Sequence, residues 1–329
     1  MRLVQIANPA YGRRVALVEN STLHLLGTHR SIYAFAVAAI DTGRRLQELI
    51  LSDLTDSLDY DEVYSLNSGW TFLPSFDHPS EPARCLVSGT GLTHLASAAN
   101  RDAMHAATTV TDSMRMYQLG LEQGRPAPGE TGAAPEWFYK GSGATLRGYG
   151  ALLTVPNFAA DGGEEPELAA VYVIDHEGTP RRVGMTPANE FSDHQIEKQN
   201  YLYLAHSKLR TCAIGPELIL DPDFSLVTGT VTIERAGSIL WTKEISTGDQ
   251  RMCHSLSNIE HHHFKYEPHR RPGDAHVHFL GASAFSFGEG IKLEDADEMV
   301  ISWAGYGRAL RNRIEIEKSE QRAVMVATL

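Results

Sequence analysis

The sequence predicts an α+β protein built on antiparallel sheets, in which a small N-terminal α+β domain precedes a larger domain. Two observations predict this organisation. From about residue 150 onward the chain is rich in strand-like hairpins, with only two helical segments among them. A polar segment with three prolines, residues 67–85, indicates a linker. We therefore expect one domain over residues 1–80 and a second over residues 81–329.

The N-terminal region is predicted to mix strands and a helix. Residues 1–28 alternate between apolar and polar side chains around a turn at Asn20, which predicts strands joined by a tight connection. Residues 29–51 carry apolar side chains at helical spacing. Gly43 predicts a break within that helix.

The middle of the chain is predicted to be mostly helical. Residues 85–91 indicate a strand that ends in a glycine loop, and residues 92–124 indicate helices. Residues 125–137 form a long segment rich in proline and glycine, a kind of loop that often covers a functional site.

The C-terminal half is predicted to alternate strand pairs with two helices. The strand pairs are a hairpin around Gly178, a hairpin around Gly237 and two final strands within residues 297–318. The helices cover residues 192–208, with Ser192 as the N-cap, and residues 249–264.

The composition excludes several classes of partner. A net charge of −12 argues against nucleic acid, because phosphate binding needs clustered Lys and Arg. No apolar run approaches the roughly 20 residues of a membrane-spanning helix, so no membrane partner is expected. Cys85, Cys212 and Cys253 are far apart and form no C-x-x-C pair, which favours buried free thiols and a cytoplasmic location.

Three glutamates stand around the first predicted hairpin of the C-terminal half. Side chains two residues apart on a strand point the same way, so Glu165 and Glu167 project together. The hairpin then returns the chain to its own start, where Glu190 arrives beside that pair. Three carboxylates suit Mg²⁺ or Mn²⁺, which prefer oxygen ligands. The spacing alone leaves two interpretations open, a metal site and a solvated acidic loop.

The run His261-His262-His263 does not indicate a metal site. Consecutive helical residues point about 100° apart, so three adjacent imidazoles cannot converge on one ion. We interpret the run as a polar helix end whose cations favour the C-terminal dipole.

Five segments carry a resemblance to a known family. In chain order they are "VSGTGLTHLASA" (87–98), "PEWFYKGSG" (135–143), "EPELAAVYVI" (165–174), "NEFSDH" (189–194) and "HSKLRTCAIGPEL" (206–218). On these segments the chain resembles the fumarylacetoacetate hydrolase (FAH) superfamily over roughly residues 80–310. Within it, the chain is similar to the 2-keto-3-deoxy-pentonate (arabinonate or xylonate) dehydratase-like branch of sugar-acid catabolism.

The resemblance implies a fold, an assembly and a metal. The larger domain would be a mixed β-sandwich roll of the FAH C-terminal-domain type, and the protein a homodimer. Glu165, Glu167 and Glu190 would hold Mg²⁺ or Mn²⁺. The family usually has Asp at the third position, where Glu190 is one methylene longer.

The resemblance also implies candidate catalytic and substrate-binding residues. Lys140 and Lys208 are each a charge partner of the glutamates, a general base, or both. Ser142, in the "GSG" after Lys140, would approach the carboxylate of a 2-keto acid substrate. Ser283 lies where the family often places a threonine beside the substrate, although the threonine position itself aligns with Ala282.

One departure from the family distinguishes between two reactions. The C–C bond hydrolases of the family pair a His with a Glu three residues later to activate water, whereas Ser97 follows His94 here. A serine cannot fix an imidazole tautomer as a carboxylate does. We therefore predict a metal-dependent dehydratase, with Lys140 removing the C3 proton and His94 or a water protonating the departing C4 hydroxyl. The alternatives are a hydrolase of acylpyruvates or diketo acids and a non-catalytic sugar-acid-binding protein.

Overall fold

The computed structural model describes residues 1–104 and 111–329. The strands are β1 Arg2–Asn8, β2 Gly12–Glu19, β3 Thr22–Leu26, β4 Leu54–Asp59, β5 Thr71–Phe72, β6 Cys85–Gly89, β7 Phe138–Ser142, β8 Leu146–Arg147, β9 Leu153–Val155, β10 Pro166–Ile174, β11 Pro180–Asn189, β12 Cys212–Ile214, β13 Glu217–Ile219, β14 Val227–Arg235, β15 Ser238–Thr247, β16 Ala275–Phe279, β17 Glu298–Trp303 and β18 Leu310–Ile316. The helices are α1 Ile32–Thr42, α2 Leu46–Leu51, α3 Tyr60–Tyr64, α4 Leu95–Met104, α5 Asp112–Gln123, α6 His194–Gln199, α7 Leu204–Lys208 and α8 Leu256–Phe264.

The described strands form two sheets, one of 13 strands and one of five. The main path of the large sheet runs β4-β3-β2-β1-β13-β11-β10-β16-β6-β7, and the small sheet runs β15-β14-β17-β18-β9. The prediction of a mixed α and β protein with large sheets and few helices is confirmed. Because β1 pairs with β13, the large sheet crosses the boundary predicted near residue 80, and the division into two domains stays a prediction.

The predicted elements of the N-terminal region are confirmed. The turn between β2 and β3 contains Asn20 at φ 54°, a left-handed conformation that Asn tolerates. Helix α1 begins after Ser31, whose hydroxyl accepts from the amide of Ala34. It ends at Gly43 in the left-handed conformation, as a glycine C-cap does.

Strand β10 lies at the centre of the large sheet and is buried along its whole length. Leu168 and Tyr172 face one hydrophobic core and Ala169 and Val171 face a second core on the other side of the sheet. Burial on both faces explains its continuous apolar sequence. The acidic residues at its start therefore enter the interior of the protein.

Two helix predictions in the C-terminal half are corrected. Residues 192–208 form two short helices, α6 and α7, and the N-cap of α6 is Asp193, which accepts from the amide of Ile196 at 3.0 Å. The hydroxyl of Ser192 instead donates to the carboxylate of Glu190. Helix α8 begins only after Ser255, because the preceding amides of Cys253 and Ser255 donate to the carbonyl oxygens of Thr93 and Gly124 and not to carbonyls of a helical turn. Residues 105–110 of the predicted 92–124 helices lie outside the described residues.

The interpretation of the histidine run as a cationic helix end is wrong for its last residue. His263 is 1% exposed and packs against β16, where its Nε2 lies 3.0 Å from His276 Nδ1. Burial, together with the nearby His278, His276 and His269, lowers the pKa of His263 well below its ordinary value. The imidazole is therefore neutral and part of the core.

The three cysteines are buried, as predicted. Burial raises the pKa of Cys85 and of Cys212 to about 12, so both thiols stay protonated and unreactive. None of the helices in residues 1–104 and 111–329 is both long and apolar enough to cross a bilayer.

Candidate metal and substrate site

The hairpin β10–β11 brings the three glutamates together. Pro166 pairs with Asn189, which places Glu165 opposite Glu190 at the open end of the hairpin, and Glu167 follows two residues along the same face. One carboxylate oxygen from each of the three residues lies within 4.8 Å of the others. All three side chains are buried, so the interpretation as a solvated acidic loop is wrong.

The two predicted lysines lie against these carboxylates. Lys140 Nζ is 2.6 Å from Glu190 Oε1 and also donates to the carbonyl oxygen of Phe191. Lys208 Nζ donates to Glu165 Oε1 at 2.6 Å and to Glu190 Oε2 at 2.5 Å. Both lysines are fully buried. Burial lowers the pKa of Lys140, and the charge of Glu190 opposes part of that effect.

Glu167 is held differently from the other two glutamates. The amide of Gly281 donates to Glu167 Oε2 at 2.6 Å. Burial raises the pKa of the Glu167 carboxyl well above its ordinary value, and the charges of Glu190 and Glu165 raise it further. The two lysines pair with Glu190 and Glu165, and a proton or a further cation can neutralise Glu167.

The residues present fit a divalent metal. Three buried carboxylates supply hard oxygen ligands, and their mutual distances allow one ion to touch all three. A doubly positive ion would also favour the ionised form of Glu167 and so oppose the rise in its pKa that burial and the neighbouring carboxylates cause. Glu165, Glu167 and Glu190 would therefore hold Mg²⁺, as the resemblance implies.

A further layer of polar side chains orients this cluster. His194 Nε2 lies 3.2 Å from Glu165 Oε1, and its ring stacks on Phe285 at 4.8 Å between centroids. Ser192 accepts from Lys208 at 2.9 Å and donates to Glu190. Such contacts fix the rotamers of ligands that would otherwise swing away from an ion.

His94 lies on the segment between β6 and α4, one residue after Thr93, whose hydroxyl donates to the carbonyl oxygen of Leu280. Its Nδ1 is 2.9 Å from Thr93 Oγ1 and its Nε2 is 3.1 Å from Thr247 Oγ1. Burial lowers its pKa to about 4, so the imidazole is neutral at pH 7. Its described hydrogen bonds involve hydroxyl groups and no carboxylate, which agrees with the absence of the family's glutamate at Ser97.

The two predicted substrate-binding serines differ in their surroundings. The hydroxyl of Ser142 accepts from the amide of Ala144 and caps a short turn after β7. The hydroxyl of Ser283 is buried and has no hydrogen-bond partner among the described residues. Gly281, two residues before Ser283, donates its amide hydrogen to Glu167, so Ser283 is close in sequence to a residue that contacts the candidate metal site. Substrate binding by either serine stays a prediction.

Besides His194, the sequence analysis missed three contributors to the site. Gly281 supplies an amide to Glu167, and Thr93 donates to the carbonyl oxygen of Leu280 at 2.9 Å. The carboxylate of Glu136 packs against Gly91, where an added Cβ would lie 1.9 Å from its Oε2, so it borders the segment that carries His94. The position of Glu136 within the matched segment "PEWFYKGSG" is the one sequence signal that pointed to it.

Comparisons with known proteins identify solved structures with a similar fold. No protein-family model matches the chain. A solved structure of 2-keto-3-deoxy-D-arabinonate dehydratase complexed with magnesium and 2,5-dioxopentanoate is similar over 97% of this chain and 100% of that one, with a TM-score of 0.72 and 21% identity. The chain has the fold of this dehydratase. The similarity is the one that the sequence resemblance predicts, and at 21% identity it concerns the fold.

Two further similar proteins match this chain with a lower TM-score or over a smaller part of its length. A 5-carboxymethyl-2-hydroxymuconate delta-isomerase from Mycobacterium smegmatis matches 96% of this chain and 100% of its own, with a TM-score of 0.58 and 17% identity. A probable 2-keto-3-deoxyxylonate dehydratase of Haloferax volcanii is 30% identical over 131 residues, which are 37% of this chain. That match spans 43% of the length of the curated relative.

Proposed function

We propose that the chain is a Mg²⁺-dependent dehydratase that acts on a 2-keto-3-deoxy sugar acid, and that this acid is a pentonate. The observation that carries this proposal is the buried cluster of Glu165, Glu167 and Glu190 with two lysines against it. The similarity in fold to a pentonate dehydratase supports it. Loss of the C3 proton and the C4 hydroxyl as water gives an unsaturated 2-keto acid, and its tautomerisation would give a 2,5-dioxo acid with the carbon skeleton intact.

A bound divalent ion would polarise the keto-acid oxygens and make the C3 protons more acidic. The residues of the chain then have separate tasks. Lys140 is our candidate for taking the C3 proton, because its buried Nζ lies at the edge of the carboxylate cluster. Lys208 bridges Glu165 and Glu190 and keeps their carboxylates in place. Ser283 offers a buried hydroxyl that a substrate oxygen can bind.

The leaving C4 hydroxyl needs a proton, and we assign this task to His94 or to a water held near it. The imidazole of His94 is neutral and buried beside Thr93 and Thr247. A neutral imidazole donates from one nitrogen while the other accepts. The lowered pKa of about 4 means that the protonated form is rare at pH 7, which favours delivery through a water.

The structure favours dehydration over C–C bond hydrolysis. A hydrolase must activate a water, and in the related hydrolases a carboxylate orients the imidazole that does so. Here threonine hydroxyls bind both nitrogens of His94. A threonine neither raises the basicity of an imidazole nor stabilises its protonated form as a carboxylate does.

The finer features of the proposal follow from the resemblance. We propose that the protein acts as a homodimer in the cytoplasm, that Mn²⁺ can replace Mg²⁺, and that its partner is a small 2-keto acid. The three buried, protonated thiols suit a reducing compartment. The carboxylate ligand set suits either ion.

The test is turnover of D- and L-2-keto-3-deoxy-pentonates with Mg²⁺ and with a chelator. We expect a five-carbon dioxo acid from at least one isomer, formed only with the metal, and no formation by Glu165→Gln. Release of two carbon fragments from an acylpyruvate would favour the hydrolase. Saturable binding of keto acids without turnover would favour a binding protein.

A further inference from the structure

A buried histidine ties strand β16 to the end of strand β6. His278 pairs in parallel with Ser88, and its Nδ1 lies 2.9 Å from Ser88 Oγ. Its Nε2 lies 2.7 Å from Thr90 Oγ1, just beyond the end of β6. All three residues are at most 1% exposed. Because a hydroxyl can donate or accept, both nitrogens of a neutral imidazole are satisfied here.

The environment of His278 keeps it neutral and fixes its ring plane. Burial, together with the nearby His276 and His269, lowers its pKa to about 3. The ring of His263 lies 4.4 Å from that of His278 between centroids. Trp137 donates from Nε1 towards His263 Nδ1 at 3.2 Å, so His263 carries its proton on Nε2 and can donate to His276.

Thr90 starts a segment that packs on Gly281, a residue that binds one glutamate of the candidate metal site. The amide of Thr90 donates to the carbonyl oxygen of Phe279 at 2.9 Å. An added Cβ on Gly281 would lie 2.0 Å from Thr93 Oγ1 and 3.0 Å from the carbonyl oxygen of Thr90. Gly281 is the residue whose amide binds Glu167.

We propose that His278 is a positioning residue for the candidate active site. By holding Thr90, it sets the course of residues 90–94, which carry His94 and pack on Gly281. Through Gly281 it orients the carboxylate of Glu167. This inference rests on the proposed dehydratase function for its kinetic test, and a second measurement below does not need that function.

The chemistry of the position supports a role beyond filling space. A leucine of similar size would pack in the same core without desolvating two nitrogens, and a buried polar group is costly unless it is bonded. The two hydrogen bonds of His278 join it to two different parts of the chain, a paired strand and the segment after that strand. The bond to Ser88 joins paired strands that backbone hydrogen bonds already hold together. The bond to Thr90 reaches the segment beyond the strand, which leads to the site.

Two substitutions separate these bonds. His278→Gln places an amide near the position of Nε2 and keeps the contact with Thr90. His278→Asn places an amide near the position of Nδ1 and keeps the contact with Ser88. Thr90→Val and Ser88→Ala remove the corresponding hydroxyl partners. We expect His278→Asn and Thr90→Val to lower kcat about 10- to 100-fold, the range for groups that orient a metal ligand.

His278→Gln and Ser88→Ala should stay within about threefold of the wild type, and KM should change less than kcat in all four variants. The double variant of His278→Asn and Thr90→Val should be no slower than the worse single variant, because both remove one interaction. Equal losses in His278→Gln and His278→Asn, or in Ser88→Ala and Thr90→Val, would show that the histidine is only structural and overturn the proposal.

Hydrogen exchange tests the same inference without turnover. In His278→Asn and Thr90→Val, amides of residues 90–94 should exchange faster, and Mg²⁺ should bind more weakly by calorimetry. Both properties should remain as in the wild type in His278→Gln and Ser88→Ala. Unchanged exchange in His278→Asn overturns the inference even if the dehydratase activity is present. Inactive wild-type protein that shows the expected exchange pattern refutes the proposed function alone.

Discussion

Glu165 and Glu190 face each other across the open end of the β10–β11 hairpin, where the amide of Glu190 donates to the carbonyl oxygen of Glu165 at 3.0 Å. The backbone therefore sets the separation of the two residues from which these carboxylates extend. Lys208 bonds to both carboxylates. Glu167 joins them because strand side chains alternate, and burial beside Glu190 and Glu165 raises the pKa of its carboxyl.

Magnesium should stabilise the fold through this cluster. An ion that binds only the native state raises the free energy of unfolding, by about 2.7 kcal/mol at 100 times its Kd. Glu167→Gln should abolish this stabilisation. Without Mg²⁺ the variant should be at least as stable as the wild type, because it removes a buried, repelled carboxylate. Thermal unfolding with and without Mg²⁺ measures both effects, and an equal shift in the variant would contradict the assignment.

Lys140 should be essential as a base and not only as a charge. Lys140→Arg keeps a positive charge near Glu190, but a guanidinium does not lose its proton in proteins. We expect Lys140→Arg and Lys140→Met to lower kcat by about 10²- to 10⁴-fold, the usual contribution of general acid–base catalysis. Mg²⁺ binding to each variant, measured by calorimetry, is the control that the variant still folds. Activity of Lys140→Arg near the wild-type level would make Lys140 a charge partner only.

Gly281 should tolerate no side chain. Its φ is 98°, and a Cβ there would meet Thr93 Oγ1 at 2.0 Å, so Gly281→Ala combines backbone strain with a collision. Gly237→Ala is the matched control, since Gly237 has φ 78° but nothing within 4 Å of an added Cβ. Both variants should lose about 1–2 kcal/mol of stability from strain. Only Gly281→Ala should also lose turnover and Mg²⁺ affinity, and equal activity in the two variants would refute this role.

The buried histidines should make the fold sensitive to acid. Burial lowers the pKa of His276 and of His278 to about 3, against 6.5 for an unperturbed imidazole. Between these values the unfolded chain binds more protons than the native one, so stability falls as pH falls below about 6.5. Each such histidine contributes a loss of about 2 kcal/mol between pH 7.5 and 5.0. Urea unfolding at both pH values should show a smaller loss in His276→Gln, and an unchanged loss would contradict the neutral state.

The sequence predicted those parts of the site that are local along the chain. The hairpin and the alternation of Glu165 and Glu167 follow from the period of a strand, and the return of Glu190 follows from the hairpin. Gly281 and Thr93 come from the crossing of β16 and β6, which pair in parallel and are separated by most of the chain. No short-range pattern marks such a pairing.

Two corrections show where local patterns are ambiguous. Ser192 and Asp193 are both good N-cap residues, and the choice depends on Glu190 and Lys208, which bind the hydroxyl of Ser192. The sequence at the end of helix α8 is polar, which predicts an exposed helix end. His263 nevertheless packs against β16 and is part of the core. In both cases a tertiary contact decides between two locally acceptable arrangements.

The position of a bound ion tests the account most directly. Crystals soaked in Mn²⁺ can be examined by anomalous scattering, which locates the ion independently of the ligand assignment. The account predicts one strong peak at roughly 2.0–2.3 Å from a carboxylate oxygen of each of Glu165, Glu167 and Glu190. A peak elsewhere, or no peak while Lys208 still bridges Glu165 and Glu190, would contradict it.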